Sequence, residues 1–176
     1  PTVNANKQVT AFSSSQQDTD QYGMKLTLNS KPMDGWQITW GLDADHERFT
    51  SNQMFFDLAQ ASASGGLNNK KIYTTGRYPS YDITTLAAFL QSAYDINNLF
   101  TLNGGVRYQY TENKIDDFIG YAQQRQIAAG KATSADAIPG GSVDYDNFLF
   151  NAGLLMHITE RQQAWLNFSQ GVELPD

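Results

Sequence analysis

Apolar and polar residues alternate with period 2 along much of the chain, and almost no stretch keeps a period of 3.6 beyond a few turns. From Tyr22 to Asn29 the even positions Tyr22, Met24, Leu26 and Leu28 are apolar, while Gly23, Lys25, Thr27 and Asn29 face the other way. After a turn at Pro32-Met33-Asp34-Gly35, Trp36, Ile38, Trp40, Leu42 and Ala44 oppose Gln37, Thr39, Gly41, Asp43, Asp45 and Glu47. A third strand sets Leu86, Ala88, Leu90 and Tyr94 against Ala87, Phe89, Gln91, Ala93 and Asp95, with Phe89 out of pattern. The turn Ile96-Asn97-Asn98 leads to Leu102, Gly104, Val106, Tyr108 and Tyr110 against Asn103, Gly105, Arg107, Gln109 and Thr111. Phe148, Phe150, Ala152, Leu154, Met156 and Ile158 form the apolar row of a fifth strand, with Asn147, Leu149, Asn151, Gly153 and His157 opposite. Thr159-Glu160-Arg161-Gln162 turns it into a sixth, Ala164, Leu166 and Phe168 against Trp165, Asn167 and Ser169, which ends near Gly171 and Pro175.

The pattern predicts an all-β, antiparallel up-and-down meander of about six long strands. Its connections segregate. Short turns follow the first, third and fifth strands, whereas long segments, about Thr50 to Asp82 and about Phe118 to Asp144, follow the second and fourth. Segments of that length far exceed the usual hairpin loop of about 2 to 5 residues. Long loops on one edge and short turns on the other are the plan of a transmembrane β-barrel, with outer loops and periplasmic turns. Several strands also reach the roughly 9 to 11 residues needed to cross a bilayer. Aromatics near strand ends (Tyr22, Trp36, Trp40, Tyr94, Tyr108, Tyr110, Phe168) suit interfacial girdles, although the same residues would pack the core of a soluble β-sandwich. Closed membrane barrels use at least about 8 strands, so six predict a partial barrel wall. In the second long segment, Tyr121 to Ala129 before Gly130 reads as a short helix.

Composition narrows the functional classes. The 176 residues carry a formal charge of −6, with 12 Lys+Arg against 18 Asp+Glu, and no cysteine. Thiolate metal sites and disulfides are excluded, and two histidines would need carboxylate help to hold a metal. An acidic chain without a basic run lacks the footprint for nucleic acid. Only 17% of residues are charged, below the roughly 25% of ordinary soluble domains. No apolar run of about 18 residues predicts a transmembrane helix, and the N-terminal PTVNANKQVT lacks the features of a secretory signal.

The hairpin Leu86 to Tyr110 (LAAFLQSAYDINNLFTLNGGVRYQY) and the segment Ala164 to Asp176 (AWLNFSQGVELPD) resemble the barrel of TonB-dependent outer-membrane siderophore receptors. Gln53-Met54-Phe55-Phe56-Asp57 and Thr75-Gly76-Arg77-Tyr78-Pro79-Ser80-Tyr81 look like the aerobactin-type branch of that family. The resemblance implies a middle section of a 22-stranded barrel in the outer membrane of a Gram-negative bacterium. It also implies import of a ferric siderophore, of the hydroxamate-citrate type such as ferric aerobactin. Plug, TonB box and terminal aromatic strand find no match in these residues, so contact with TonB would run through a plug region outside them. The remaining partners it implies are outer-membrane lipid, lipopolysaccharide, and a bacteriocin or phage at the outer loops. Iron would enter only as part of the ligand, with no resident cofactor.

Candidate ligand residues concentrate in the first long segment, where Phe55, Phe56, Lys71, Tyr73, Arg77, Tyr78 and Tyr81, together with Lys70, mix aromatic faces with cations in an acidic chain. A bulky anionic ligand needs that mixture, since carboxylates meet Arg and Lys while apolar surface stacks on rings. The same cations would also suit lipopolysaccharide phosphates, and the aromatics could serve only to pack the loop. Asp43, Asp45 and Glu47, with His46 opposite, fit the wet inner wall of a barrel better than a metal site. Asp116 and Asp117 read as the start of the outer loop, and His157 as a wall or plug contact. No Gly-x-Ser-x-Gly elbow or other catalytic constellation appears. A soluble sandwich binding a carbohydrate or protein through its long loops is the competing reading.

Overall fold

The computed structural model describes residues 2–3, 5 and 9–172. Its elements run β1 (Thr2–Val3), β2 (Val9–Met33), β3 (Trp36–Phe56), α1 (Leu58–Ala63), β4 (Lys71–Gly76), β5 (Tyr81–Asp95), β6 (Phe100–Ile115), α2 (Tyr121–Ala128), β7 (Gly141–Thr159) and β8 (Gln162–Ser169). Strand neighbours follow the order β1-β2-β3-β5-β6-β7-β8, with β4 added beside β3. The six expected strands are β2, β3, β5, β6, β7 and β8, and each meets its neighbour in sequence, apart from the β4 insertion. Pro175 lies outside the described residues.

The chain forms two compact units. One comprises Gln21–His46, Ile83–Glu112 and Val143–Asp176, and it holds every short turn. There the turns are tight: Asp34-Gly35 joins β2 to β3, and Glu160-Arg161 joins β7 to β8. Between β5 and β6 the Asn97 carboxamide oxygen accepts from the N–H groups of Leu99 and Phe100 (2.8 and 2.9 Å). This is the local competition for backbone donors that makes Asn a turn former.

In this unit the side chains are arranged inside out relative to a water-soluble sheet. Tyr22 and Met24 are each 69% exposed and Phe148 is 61% exposed, and Leu42, Leu86, Leu102 and Phe150 share that exposed apolar row. A sandwich would bury it beneath a second sheet, and among the described residues nothing covers it. The odd positions instead bond to one another across strands. Arg107 Nη1 donates to Asp43 Oδ2 at 2.6 Å, with Lys25 Nζ 3.6 Å from the other carboxylate oxygen. Gln21 reaches Asp45, Thr39 reaches Asn29, and Gln91 reaches Asn151. Phe89, out of pattern in sequence, sits on this polar face, and its ring takes Lys25 Nζ at 5.5 Å from the centroid. Gly41 makes room for that ring, because a Cβ there would lie 2.7 Å from Phe89 Cζ. Near the short turns Trp36 meets Tyr94 edge to face at 6.4 Å and donates its indole N–H to Ser92 Oγ (2.8 Å).

The other unit comprises Pro1–Asp20, Glu47–Asp82 and Asn113–Ser142, and it holds both long connections. Several sequence-based boundaries require correction, most of them in this unit. The first strand does not begin at Tyr22 but runs back to Val9, through the polar stretch Ser13 to Asp20. Pro32 and Met33 close that strand rather than belonging to the turn. Thr50 to Phe56 is strand, Lys71–Gly76 is a further strand, and Tyr81 already begins β5. The second long segment ends at Gly140, since β7 begins at Gly141. Where both faces of a sheet are hydrated, as over Ser14 to Asp20, the apolar-polar alternation that marks a strand in sequence is not required, whereas Thr50 to Phe56 is strand largely through its pairing with β4.

Candidate functional site

The candidate site lies within the unit that carries the long connections. β3 continues to Phe56 because β4 pairs with it antiparallel, Asn52 opposite Gly76 and Phe55 opposite Tyr73. The residues Ile72-Tyr73-Thr74-Thr75 are the β-branched and aromatic types that favour a pleated surface. Between the two strands, Asp57 caps α1 by accepting from the Gln60 N–H (3.0 Å), and its own N–H donates to the Lys70 carbonyl (2.9 Å). Ala61 of α1 is fully buried.

The second connection is tied down at both ends. Phe118 and Ile138 exchange backbone hydrogen bonds (2.9 Å each way), Asp117 Oδ1 accepts from the Gly140 N–H (2.8 Å), and the Asp116 N–H donates to the Ser80 carbonyl (2.9 Å). Within it α2 is fastened to β4 by Gln124, whose Oε1 accepts from the Gly76 N–H (2.7 Å) while its amide nitrogen donates to the Ile119 carbonyl. The expected helix is therefore present as Tyr121–Ala128, and Ala129 is its C-cap. Beyond it the Gly130 N–H donates to Ile127 and the Lys131 N–H to Gln126 (2.9 Å each), with Gly130 at φ +70°. That is a Schellman ending, in which the left-handed residue is glycine because a Cβ is disfavoured there. It places Lys131 back beside the last turn of the helix.

Phe55, only 3% exposed, is the floor of an aromatic cluster. Its ring stacks on Tyr73 at 4.7 Å and on Tyr121 at 6.3 Å, and the Arg125 guanidinium lies 5.0 Å from its centroid and 5.9 Å from that of Tyr121. Arg77 lies 5.3 Å from the Tyr78 ring. Tyr81 stacks on Phe49 at 4.9 Å and donates its hydroxyl to Glu47 Oε1 at 3.1 Å. Partial burial raises the Tyr81 phenol above its usual value, and the bond to the Glu47 carboxylate pushes in the same direction.

Two of the hollows in this unit border the candidate residues. The larger, about 710 Å³, is lined by Thr50, Asn52, Thr74, Tyr78, Asp116 and Asp117 among others. A smaller cleft of about 290 Å³ lies between Tyr73, Arg125 and Lys131. The residues singled out from sequence thus fall into separate groups. Phe55 and Tyr73 share the aromatic cluster; Arg77 and Tyr78 form a pair, of which Tyr78 borders the larger hollow; Tyr81 is held by Glu47 and Phe49. Lys71 is exposed and Phe56 half-buried. Sequence reasoning missed Tyr121, Arg125 and Lys131 as site residues. The available signal was the i, i+4 spacing of Tyr121 and Arg125 on the expected helix, with Gly130-Lys131 at its end. Among the described residues no group of three potential metal ligands comes together.

Compared with known proteins, residues 2–176 match the family described as TonB dependent receptor-like, beta-barrel. The chain is 99% identical over its whole length to the ferric aerobactin receptor of Klebsiella pneumoniae and 92% identical to that of Escherichia coli, covering 24% of each. Among solved structures, the copper transporter OprC superposes with a TM-score of 0.66 at 13% identity, over 93% of this chain and 23% of that one. The fold is that of a TonB-dependent receptor barrel, and the chain belongs to the TonB-dependent receptor family. It spans about a quarter of the length of the curated relatives it matches.

Proposed function

We propose that this chain is a wall-and-loop segment of an outer-membrane receptor that captures a ferric siderophore of the hydroxamate-citrate type, ferric aerobactin, for TonB-coupled import. The observation that carries the reading is the contrast in side chains: an apolar row facing outward with a polar ladder behind it in one unit, and paired rings and cations in the other. The first suits a strand wall between lipid and water. The second suits a large ligand that is anionic at its rim and apolar in its body. The names of relatives at 99% and 92% identity support the choice of siderophore.

In this reading Arg77 and Tyr78 touch the ligand, Lys71, Phe56 and Tyr81 border it, and Phe55 and Tyr73 support the surface beneath. Iron is cargo inside the ligand, the plug and TonB contacts lie in other parts of the receptor, and the outward residues meet outer-membrane lipid. Exposed Lys70 and Lys71 suit lipopolysaccharide phosphates, and the same loops would offer a landing surface to a bacteriocin or phage. Arg77→Ala and Tyr78→Ala in the full receptor test the site. The expected result is weaker binding of ferric aerobactin with normal assembly in the outer membrane; unchanged affinity in both variants removes the assignment.

A further inference from the structure

The larger hollow is a poor place for an anion, because Asp116 and Asp117 stand in its wall. The smaller cleft has the opposite character. Its lining, Tyr73, Ala122, Arg125, Gln126, Ala129 and Lys131, contains two cations and no acid, in a chain with a formal charge of −6. Among the described residues no carboxylate lies within ion-pair distance of Arg125 or Lys131, and both are exposed.

Arg125 is held by its side chain and Lys131 is placed by its backbone. Arg125 rests on the rings of Phe55 and Tyr121, an arrangement that lets its guanidinium N–H groups donate to a planar anion. Lys131 is brought alongside by the Schellman ending at Gly130. Tyr73 supplies a third wall, itself fixed by stacking on Phe55. At about 290 Å³ the cleft is at the lower edge of the range of small-molecule sites, so it fits an arm of a ligand rather than a bulky iron chelate.

We infer that the cleft between Tyr73, Arg125 and Lys131 is a carboxylate subsite, taking a peripheral carboxylate of the ferric siderophore while the iron-bearing body rests elsewhere. This rests on the function proposed above. It adds Arg125 and Lys131 to the specificity-determining residues and separates the anion subsite from the Arg77–Tyr78 pair.

The test is equilibrium binding of ferric aerobactin to the full-length receptor, at low and at physiological salt. Arg125→Gln is expected to weaken binding about tenfold, the loss of one charge-assisted contact. Because Arg125 also steadies the aromatic cluster, Lys131→Gln, which leaves the rings alone, is the second variant; about threefold weaker binding and a shallower salt dependence are expected. Arg125→Lys keeps the charge but loses the planar fork, and should fall between Arg125→Gln and wild type. Wild-type binding that is unchanged in both Lys131→Gln and Arg125→Lys, with the same salt dependence, overturns the subsite and leaves the proposed function standing. A wild-type receptor that does not bind ferric aerobactin overturns both.

Discussion

The two units follow opposite rules for the same kind of strand. In the unit with the short turns, solvent chemistry is written into every second residue: Leu42, Leu102 and Phe150 face outward while Asp43, Arg107 and Asn151 bond across the other face. In the unit with the long connections, strands persist through Ser13 to Asp20 and through Thr50 to Phe56 with no such alternation. Their order comes from local devices, namely the Asp57 cap, the Gln124 clasp, the Gly130 ending and the Phe55 ring stack. One region is specified by an environment, the other by individual contacts. A substitution should therefore act globally in the first and locally in the second.

The sharpest way to break that comparison is to place a cation on each side of it. Leu42→Arg puts a charge in the outward row, where about 2–4 kcal/mol is expected at bilayer mid-depth, enough to deplete folded receptor from the outer membrane. Leu67→Arg, at a residue 91% exposed in a long connection, should leave the amount of folded receptor unchanged. Heat-modifiable mobility on gels reads both. Next in size is the polar ladder. Asp43→Ala strands Arg107 and Lys25 on one face and should cost about 1–3 kcal/mol in unfolding titrations, and Asp43→Ala with Arg107→Ala should cost less than the sum of the two singles.

Smaller effects are expected from the local devices. Asp57→Ala removes the α1 cap at about 1 kcal/mol, visible as faster amide exchange over 58–63 with no change in β6 or β7. The smallest concerns Tyr81. Its folded-state phenol is raised above the unfolded value, so its contribution is complete below the usual tyrosine range near pH 10 and is lost as pH rises through the folded value. Tyr81→Phe should abolish that alkaline component of the stability profile, read by thermal melts between about pH 9 and 11.

These comparisons also explain what the sequence could disclose. The six strands and their facing were legible because an exposed apolar row backed by a polar ladder imposes period 2, as in Leu102-Gly104-Val106-Tyr108. The α2 helix was legible from its ending, since Gly130 marks a stop whatever surrounds it. β4 was not, because its β-forming residues Ile72 to Thr75 make too short a run to show period 2, and the pairing with β3 that completes the strand is not visible in sequence. Arg125 escaped notice for the same reason: its significance lies in Phe55, seventy positions away, beneath its guanidinium. Phe55, singled out with the other aromatics and cations of the first long segment, is 3% exposed, with Tyr73 and Arg125 against its ring.

The central claim is that the even positions of the strands face lipid and the odd positions face water. This chain contains no cysteine, so single cysteines introduced one at a time from Asn147 to Ile158 in an otherwise cysteine-free receptor can be spin-labelled in a native membrane. A two-residue oscillation is expected, with Phe148, Phe150, Ala152 and Leu154 most accessible to oxygen dissolved in lipid and Asn147 and Asn151 most accessible to a water-soluble nickel chelate. No alternation, or alternation in the opposite phase, would contradict it.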